Sequence, residues 1–239
     1  MKHSLWMAAL LLLTSAAPYA AEPIKEKSLM QTEQTLSARQ QAIAPIAAFA
    51  ATGDIAGLHA ALDHGLDAGL SIGDCKEILV QLYAYAGFPR SLNALGDLMK
   101  VLEERKQRGI ADPQGRLPGP VPSGDAMLAL GTANQTKLVG APVQGPVFEF
   151  APAIDQFLKT HLFGDIFSRD NLDWQSRELA TVAALAAMSG TEAQLLSHLR
   201  VSLNVGLTPQ QLKQFTQVLA VKVDAAAAQR ALAALEKAS

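Results

Sequence analysis

DWQSRELAT at residues 173–181 and SHLR at residues 197–200 are the two stretches that decide the fold class of this chain. Apolar residues within and after the first stretch recur at helical spacing and predict a helix over 174–188. A second helix is predicted over 191–205, and it carries the SHLR stretch with several leucines on one side. The break between them is short, so the two segments are expected to form a helical hairpin.

Most of the remaining chain is predicted to be helical as well. Hydrophobic residues make up 49% of the sequence, with abundant alanine and leucine, the best helix formers. Alternating segments rich in valine and isoleucine, typical of sheets, are scarce. Helices are predicted at about 29–51, 55–67, 74–86, 90–107, 151–162, 209–220 and 224–237, which gives an all-α fold. The 20 basic and 22 acidic residues leave a net charge of −2, which argues against a nucleic-acid partner.

The first residues have the layout of a secretory signal peptide. Lys2 and His3 precede an apolar run from Leu5 to Leu13, and small residues follow. We assign residues 1–21 to this signal and expect a periplasmic or secreted protein; a retained N-terminal anchor is the alternative. No second long apolar run occurs, so no membrane association is expected after cleavage.

Two helical halves flank a segment of different composition. Residues 109–146 hold many glycines and prolines with weak periodicity, and predict a connector arm between residues 28–108 and residues 147–239. The halves echo each other, since a basic-acidic-apolar triplet follows a capped helix start both at 76–78 and at 177–179. Duplication of a helical unit is the simplest account. Coincidence between two similarly capped helices is the alternative.

Glu178 and His198 are the strongest candidates for chemistry, because the predicted hairpin brings them together. A carboxylate beside an imidazole is a common acid/base arrangement. Glu178 can instead pair with Arg177 or Arg200 or stabilise a helix N-terminus, and His198 can instead be a core histidine bonded to a carbonyl. Trp174 is a candidate substrate contact, although a tryptophan more often serves packing. No His-x-x-x-His or Glu-x-x-His pair lies on a predicted helix, so no metal site is predicted.

These residues carry a resemblance to a known family. Residues 163–219, with the pattern RELAT…AAL…SHLR…LN.GLT, resemble the carboxymuconolactone decarboxylase domain, and residues 66–95 look like a second, diverged copy. The resemblance implies an alkylhydroperoxidase D-like helical bundle with two diverged repeats. It also implies a homo-oligomer, often a trimer or hexamer, that needs no organic cofactor. Glu178 and His198 fall at positions resembling the family's acid and base, whereas the first copy has Glu77 but places Asn93 near the histidine position.

Two activities are known in this superfamily, and cysteines separate them. One branch decarboxylates a lactone acid in aromatic breakdown; the other reduces peroxides with a Cys-x-x-Cys pair beside a glutamate and a histidine. That pair should fall between Glu178 and His198, where this sequence has no cysteine. Cys75 is the single cysteine, and disulfide chemistry needs an attacking and a resolving sulfur. A disulfide-based peroxidase is therefore disfavoured.

The sequence predicts a carboxymuconolactone decarboxylase-like enzyme acting on a small lactone or organic acid by acid/base chemistry. Arg177 or Arg200 would hold an anionic substrate, and the pocket would be lined by Tyr83, Tyr85 and Phe88. Because the aromatic pathway is cytoplasmic, an exported protein is expected to use a different substrate. The alternatives are a non-catalytic oligomeric helical binding module and a peroxidase-like antioxidant protein using Cys75 alone.

Overall fold

The computed structural model describes residues 35–238, and within that range the chain forms helices and no strand. The prediction of an all-α fold is confirmed, whereas the signal peptide predicted at residues 1–21 lies outside the described residues. The elements are α1 (Ala38–Thr52), α2 (Ile55–Asp67), α3 (Ile72–Ala86), α4 (Phe88–Gln107), α5 (Asp125–Val139), α6 (Pro146–Phe150), α7 (Pro152–Phe157), the π-helical segment π1 (Leu158–Ile166), α8 (Trp174–Ala187), α9 (Glu192–Asn204), α10 (Pro209–Lys222) and α11 (Ala225–Ala238).

Helix α8 is the central element of the main core. It packs against α1, α3, α9 and α11, and its contact with α1 is the most extensive in the fold. Both helices are rich in buried alanine, including Ala47 and Ala48 of α1 and Ala183 and Ala184 of α8. Small side chains allow two helix backbones to approach closely, and a helix surrounded by others is buried on every side. Polar residues of α8 therefore lie in the interior.

Side-chain caps fix the starts of several helices. The Asp173 side chain accepts a hydrogen bond from the Ser176 amide at the start of α8. Thr208 and Gln211 form a capping box at α10, with Pro209 in the first turn. Asp54 caps α2 in the same way as Asp173 caps α8. These caps satisfy amides that have no partner inside the helix. The helix starts predicted at residues 55, 174 and 209 are confirmed.

The predicted connector is more structured than its composition suggested. Helix α5 occupies 15 residues of it, and α6, α7 and π1 follow. At Gly131 an added Cβ would lie 1.7 Å from the Lys159 carbonyl oxygen, so α5 and π1 pack with backbone almost in contact. We call α5 through π1 (residues 125–166) the arm lobe. Its helices pack through small residues rather than through an apolar stripe, which is why periodicity did not reveal α5.

The arm lobe joins the main core through a second apolar cluster. Its buried members are Leu138, Leu162, Phe163, Ile166, Phe167 and Val201. Ahead of the lobe, residues 110–123 run without helix along the start of α3, where the Ile72 and Gly73 amides donate to the Pro113 and Gln114 carbonyls at 2.9 Å. The lobe is thus held over the end of α3 and the inner face of α9. Among residues 35–238, no helix combines the length and hydropathy needed to cross a membrane.

Candidate active site

Glu178 and His198 meet inside the helical hairpin formed by α8 and α9. The Asp173 cap starts α8 so that Glu178 lies in its second turn, and the short turn after α8 returns α9 alongside it. Nδ1 of His198 lies 2.8 Å from Oε2 of Glu178. The Glu178 side chain is 0% exposed and that of His198 13% exposed. A buried carboxylate facing one nitrogen of a nearly buried imidazole is the arrangement that the sequence predicted for this hairpin.

This contact determines which nitrogen of His198 remains for chemistry. Because Nδ1 faces the Glu178 carboxylate, we assign the Nδ1 proton to this hydrogen bond, which leaves Nε2 as the nitrogen available to a substrate. The ionised carboxylate also stabilises the imidazolium that forms when Nε2 takes a proton. The alternative pairing of Glu178 with Arg177 or Arg200 does not occur, since Arg177 pairs with Glu77 and Arg200 reaches the Lys237 carbonyl.

Tyr85 brings a residue of the first half of the chain to this pair. Its ring lies edge-on to the His198 ring, with centroids 5.5 Å apart and planes at 80°. Among residues 35–238, neither its buried hydroxyl nor the buried Oε1 of Glu178 has a hydrogen-bond partner of normal geometry. Burial, reinforced by the negative charge of Glu178, raises the pKa of Tyr85, so its phenol stays neutral.

The other predicted aromatic residues, Tyr83, Phe88 and Trp174, have packing contacts of their own. Tyr83 stacks on Phe88 with centroids 4.3 Å apart, and Phe88 is largely exposed. Trp174 donates from Nε1 to the Phe167 carbonyl at 2.9 Å. Tyr83, Tyr85 and Trp174 all pack against the second apolar cluster.

Arg177 was predicted to hold an anionic substrate, but the structure places it in the interior. It is fully buried, and its Nη2 donates to Oε2 of Glu77 at 2.9 Å. Arg169 forms a second ion pair with Glu77 at 2.7 Å. This placement argues against substrate binding by Arg177. Arg200 is exposed beside α11, with no contact to the pair.

Glu77 and its two arginine partners, Arg169 and Arg177, join the two halves of the chain by ion pairs. Burial alone would raise the pKa of Glu77, but hydrogen bonds from Arg169, Asn171 and Arg177 outweigh it and lower the pKa to about 2. Gln81 completes the group by accepting from Nη1 of Arg177 at 3.2 Å. Sequence reasoning noted Glu77 but missed its two arginine partners, because they lie 92 and 100 residues further along the chain.

The surface clefts of the molecule lie elsewhere. A cleft of about 830 Å³ is lined by α1, α2 and α10, among them Phe49, His64 and Val218. Two smaller clefts, of about 410 and 390 Å³, flank Trp174 at the edge of the arm lobe. Glu178 and His198 line none of these three.

Cys75 does not meet the requirements for peroxide chemistry. Its side chain is buried in α3. Burial, followed by the charge of Asp74, raises the pKa of the Cys75 thiol to about 12, so the reactive thiolate is suppressed at neutral pH. Within residues 35–238, no group of three or more histidine, cysteine, aspartate or glutamate side chains is placed to hold a metal ion.

Comparisons with known proteins match the half that carries the pair. The model of the carboxymuconolactone decarboxylase family matches residues 152–237, which include Glu178 and His198. A 4-carboxymuconolactone decarboxylase from Acinetobacter baylyi (strain ATCC 33305 / BD413 / ADP1) is 35% identical over 66 residues. That alignment covers 28% of this chain and 48% of the relative, about half its length. The predicted family resemblance is thus confirmed for the second half, whereas the proposed first copy lies outside the family match and stays a prediction.

Proposed function

We propose that this protein is an acid/base enzyme of the carboxymuconolactone decarboxylase type, acting on a small lactone acid or related organic acid. The observation that carries the proposal is the buried contact of 2.8 Å between Glu178 and His198 within the segment that matches the family. The relative's name supplies the reaction class, loss of CO2 from a lactone acid. Burial of the pair removes competing water and strengthens its electrostatic interaction.

The chemistry assigns one role to each residue. The substrate C–C bond to the carboxylate breaks, CO2 departs, and the electron pair remains on carbon, delocalised into an adjacent carbonyl as an enolate. The His198 imidazolium delivers its Nε2 proton to that carbon, and solvent returns a proton to Nε2. Glu178 stays ionised, orients the ring through Nδ1 and stabilises its charged form. Proton transfer by a positioned group contributes roughly 10²–10⁴-fold to a rate.

Turnover by purified variants tests the assignment. CO2 release is measured over a panel of lactone acids that includes 4-carboxymuconolactone. We expect His198→Ala to lower kcat by roughly 10²–10⁴-fold and Glu178→Gln to lower it by a smaller factor. His64→Gln is the matched control, because His64 lines the cleft between α1 and α2 and does not approach the pair. Turnover by His198→Ala equal to that of the parent protein would overturn the proposal.

A binding and assembly role is favoured by a separate observation. Val147 and Phe150 of α6 and Ile154 and Phe157 of α7 are all exposed, Phe150 to 90%. Monomeric proteins rarely expose so many large apolar side chains within one short segment. We propose that these four residues, which we call the apolar row, mediate a homo-oligomer, a trimer or hexamer.

Light scattering after size-exclusion chromatography tests the assembly. Phe150→Ser combined with Phe157→Ser is expected to lower the measured mass to that of a monomer. Val221→Ser removes an equally exposed apolar side chain from α10 and is the control. An unchanged mass in the double variant would exclude this row as the interface.

We also propose that the protein is exported and meets its substrate outside the cytoplasm. The support is the arrangement of charge, apolar run and small residues within positions 1–21. Fractionation of cells expressing the full chain or a chain lacking residues 1–21 tests this. Export predicts that only the full chain reaches the periplasm or the medium, and retention of both in the cytoplasm would contradict it.

A further inference from the structure

We infer that Tyr85 is a ligand-contacting residue of the candidate site, and that the ligand is a small acid which also carries a hydroxyl or enol O–H. The inference rests on the proposed function, because it places the ligand beside the Glu178–His198 pair. It narrows the ligand class and adds a third polar group to the site. Its basis is a pair of buried polar atoms that have no hydrogen-bond partner in the part of the chain that the structure describes.

The first unpartnered atom is a hydrogen-bond donor, the hydroxyl of Tyr85. The atom is buried and forms no hydrogen bond of normal geometry. Thr181 is close enough to influence the pKa of Tyr85, but its contact with the Tyr85 hydroxyl lacks hydrogen-bond geometry. Oγ1 of Thr181 instead donates to the Arg177 carbonyl at 3.0 Å and accepts from Gln81 at 2.8 Å. A buried hydroxyl without a partner is unfavourable, so an acceptor atom of a bound ligand would stabilise the Tyr85 hydroxyl.

The second unpartnered atom is a hydrogen-bond acceptor, Oε1 of Glu178. Oε2 of the same carboxylate is bonded to His198, but Oε1 is buried without a partner. The negative charge of this carboxylate contributes to the raised pKa of Tyr85, and the Tyr85 ring lies edge-on to the His198 ring. The Tyr85 hydroxyl and Oε1 of Glu178 therefore flank one location. They do not bond to each other, so a polar group placed between them would give both atoms a partner.

The chemistry of the two atoms restricts what can occupy that space. The Tyr85 hydroxyl needs an acceptor, and Oε1 of Glu178 needs a donor. A carboxylate anion alone would accept from Tyr85 but would be repelled by Glu178. A hydroxyl or enol oxygen satisfies both, because it accepts one hydrogen bond and donates another. The ligand oxygen would then lie beside His198, whose Nε2 is free of hydrogen bonds within the described chain.

Three related probes distinguish these ligand classes. They are 2-hydroxyglutarate, its lactone 5-oxotetrahydrofuran-2-carboxylate, and glutarate, which lacks the hydroxyl. Binding is measured by calorimetry, and ¹⁵N signals of the His198 ring report whether the probe reaches the pair. We expect 2-hydroxyglutarate to bind roughly tenfold more tightly than glutarate, and Tyr85→Phe to remove most of that preference.

Tyr83→Phe is the matched control. The Tyr83 hydroxyl is also buried without a partner, but its ring stacks on Phe88 rather than facing His198. This variant should keep the preference for the hydroxy acid. Tyr85→Phe should leave the Tm of the free protein unchanged or slightly higher, because it removes an unpartnered buried hydroxyl. A lower Tm would show that the hydroxyl has a structural partner and would overturn the inference.

The outcomes separate this inference from the proposed function. An equal affinity for 2-hydroxyglutarate in Tyr85→Phe and the parent protein overturns the role of Tyr85, whatever the turnover assays show. The role of Tyr85 is also overturned if the parent protein binds the hydroxy acid no better than glutarate, or binds neither. A Tyr85-dependent preference without any decarboxylation supports the inference while contradicting the proposed reaction.

Discussion

The two halves of the chain are joined by a buried charge group, and replacing Glu77 by glutamine tests how much that group stabilises the fold. Glu77 holds Arg169 at 2.7 Å and Arg177 at 2.9 Å. The replacement keeps the size of the side chain and removes its charge. Arg177, which has no access to solvent, would retain Gln81, the Arg169 carbonyl and the uncharged glutamine amide oxygen as partners. An uncompensated cation would then remain in the interior.

Two independent arguments give a similar magnitude. Removing one partner of a buried ion pair typically costs about 3–5 kcal/mol, and the glutamine amide oxygen keeps this case near the lower end. Separately, the pKa of Glu77 is lowered from 4.5 to about 2, which corresponds to about 3 kcal/mol of stability at neutral pH. We therefore expect Glu77→Gln to lower the free energy of unfolding by about 3 kcal/mol.

Urea and thermal unfolding at two pH values measure the effect. For a domain of this size the expected loss corresponds to a fall in Tm of roughly 6–12 °C at pH 7. Because the folded-state pKa of Glu77 is depressed, its contribution is present above about pH 5 and is lost as the pH falls towards 2. The difference between variant and parent should therefore shrink between pH 5 and pH 3.

Two further variants make the test specific. Glu77→Leu combined with Arg177→Met should be more stable than either single variant, because both charges leave the interior together. Asp170→Asn removes an exposed ion pair with Arg116 and should leave the unfolding midpoint nearly unchanged. If Glu77→Gln unfolds within about 1 kcal/mol of the parent at pH 7, or shows the same loss at pH 3, the buried-pair reasoning is wrong.

Three other predictions concern the arm lobe, the thiol and one histidine. Gly131→Ala should loosen the arm lobe and speed hydrogen exchange over residues 125–166, because its Cβ would lie 1.7 Å from the Lys159 carbonyl oxygen. Gly96→Ala is the control: this residue lies in open space within α4, so the variant should stabilise the protein by up to about 1 kcal/mol. Equal exchange in both variants would contradict the packing argument. Cys75 should react with a thiol reagent only after unfolding, and rapid labelling of the native protein at pH 7 would refute its burial. Burial opposes protonation of His59, but Asp97 and Glu104 outweigh this effect and raise the pKa of His59. The contribution of His59 to stability is therefore full below pH 6.5 and is lost as the pH rises through the raised pKa. His59→Gln should be less stable than the parent at pH 5.5 but not at pH 9, and a difference that stays constant with pH would disprove the linkage.

Local sequence determined the helical character of this protein and the existence of its candidate pair. The caps at Asp173 and Thr208 and the apolar spacing after Glu178 act within one or two turns, so they could be recognised without knowing the rest of the fold. The same locality placed His198 beside Glu178, because a short turn between two helices leaves few alternatives. These features depend on neighbours in the chain.

Tertiary structure alone decided what surrounds that pair. Helix α5 was missed because it packs closely against π1 at Gly131, beside the Lys159 carbonyl, and the spacing of residues within α5 does not signal such a contact. Arg177 was predicted to face a substrate, yet it is neutralised by Glu77, 100 residues earlier. Tyr85 reaches His198 from the other half of the chain. Contacts of this kind are set by how helices pack, because burial and charge pairing depend on residues that the sequence keeps far apart.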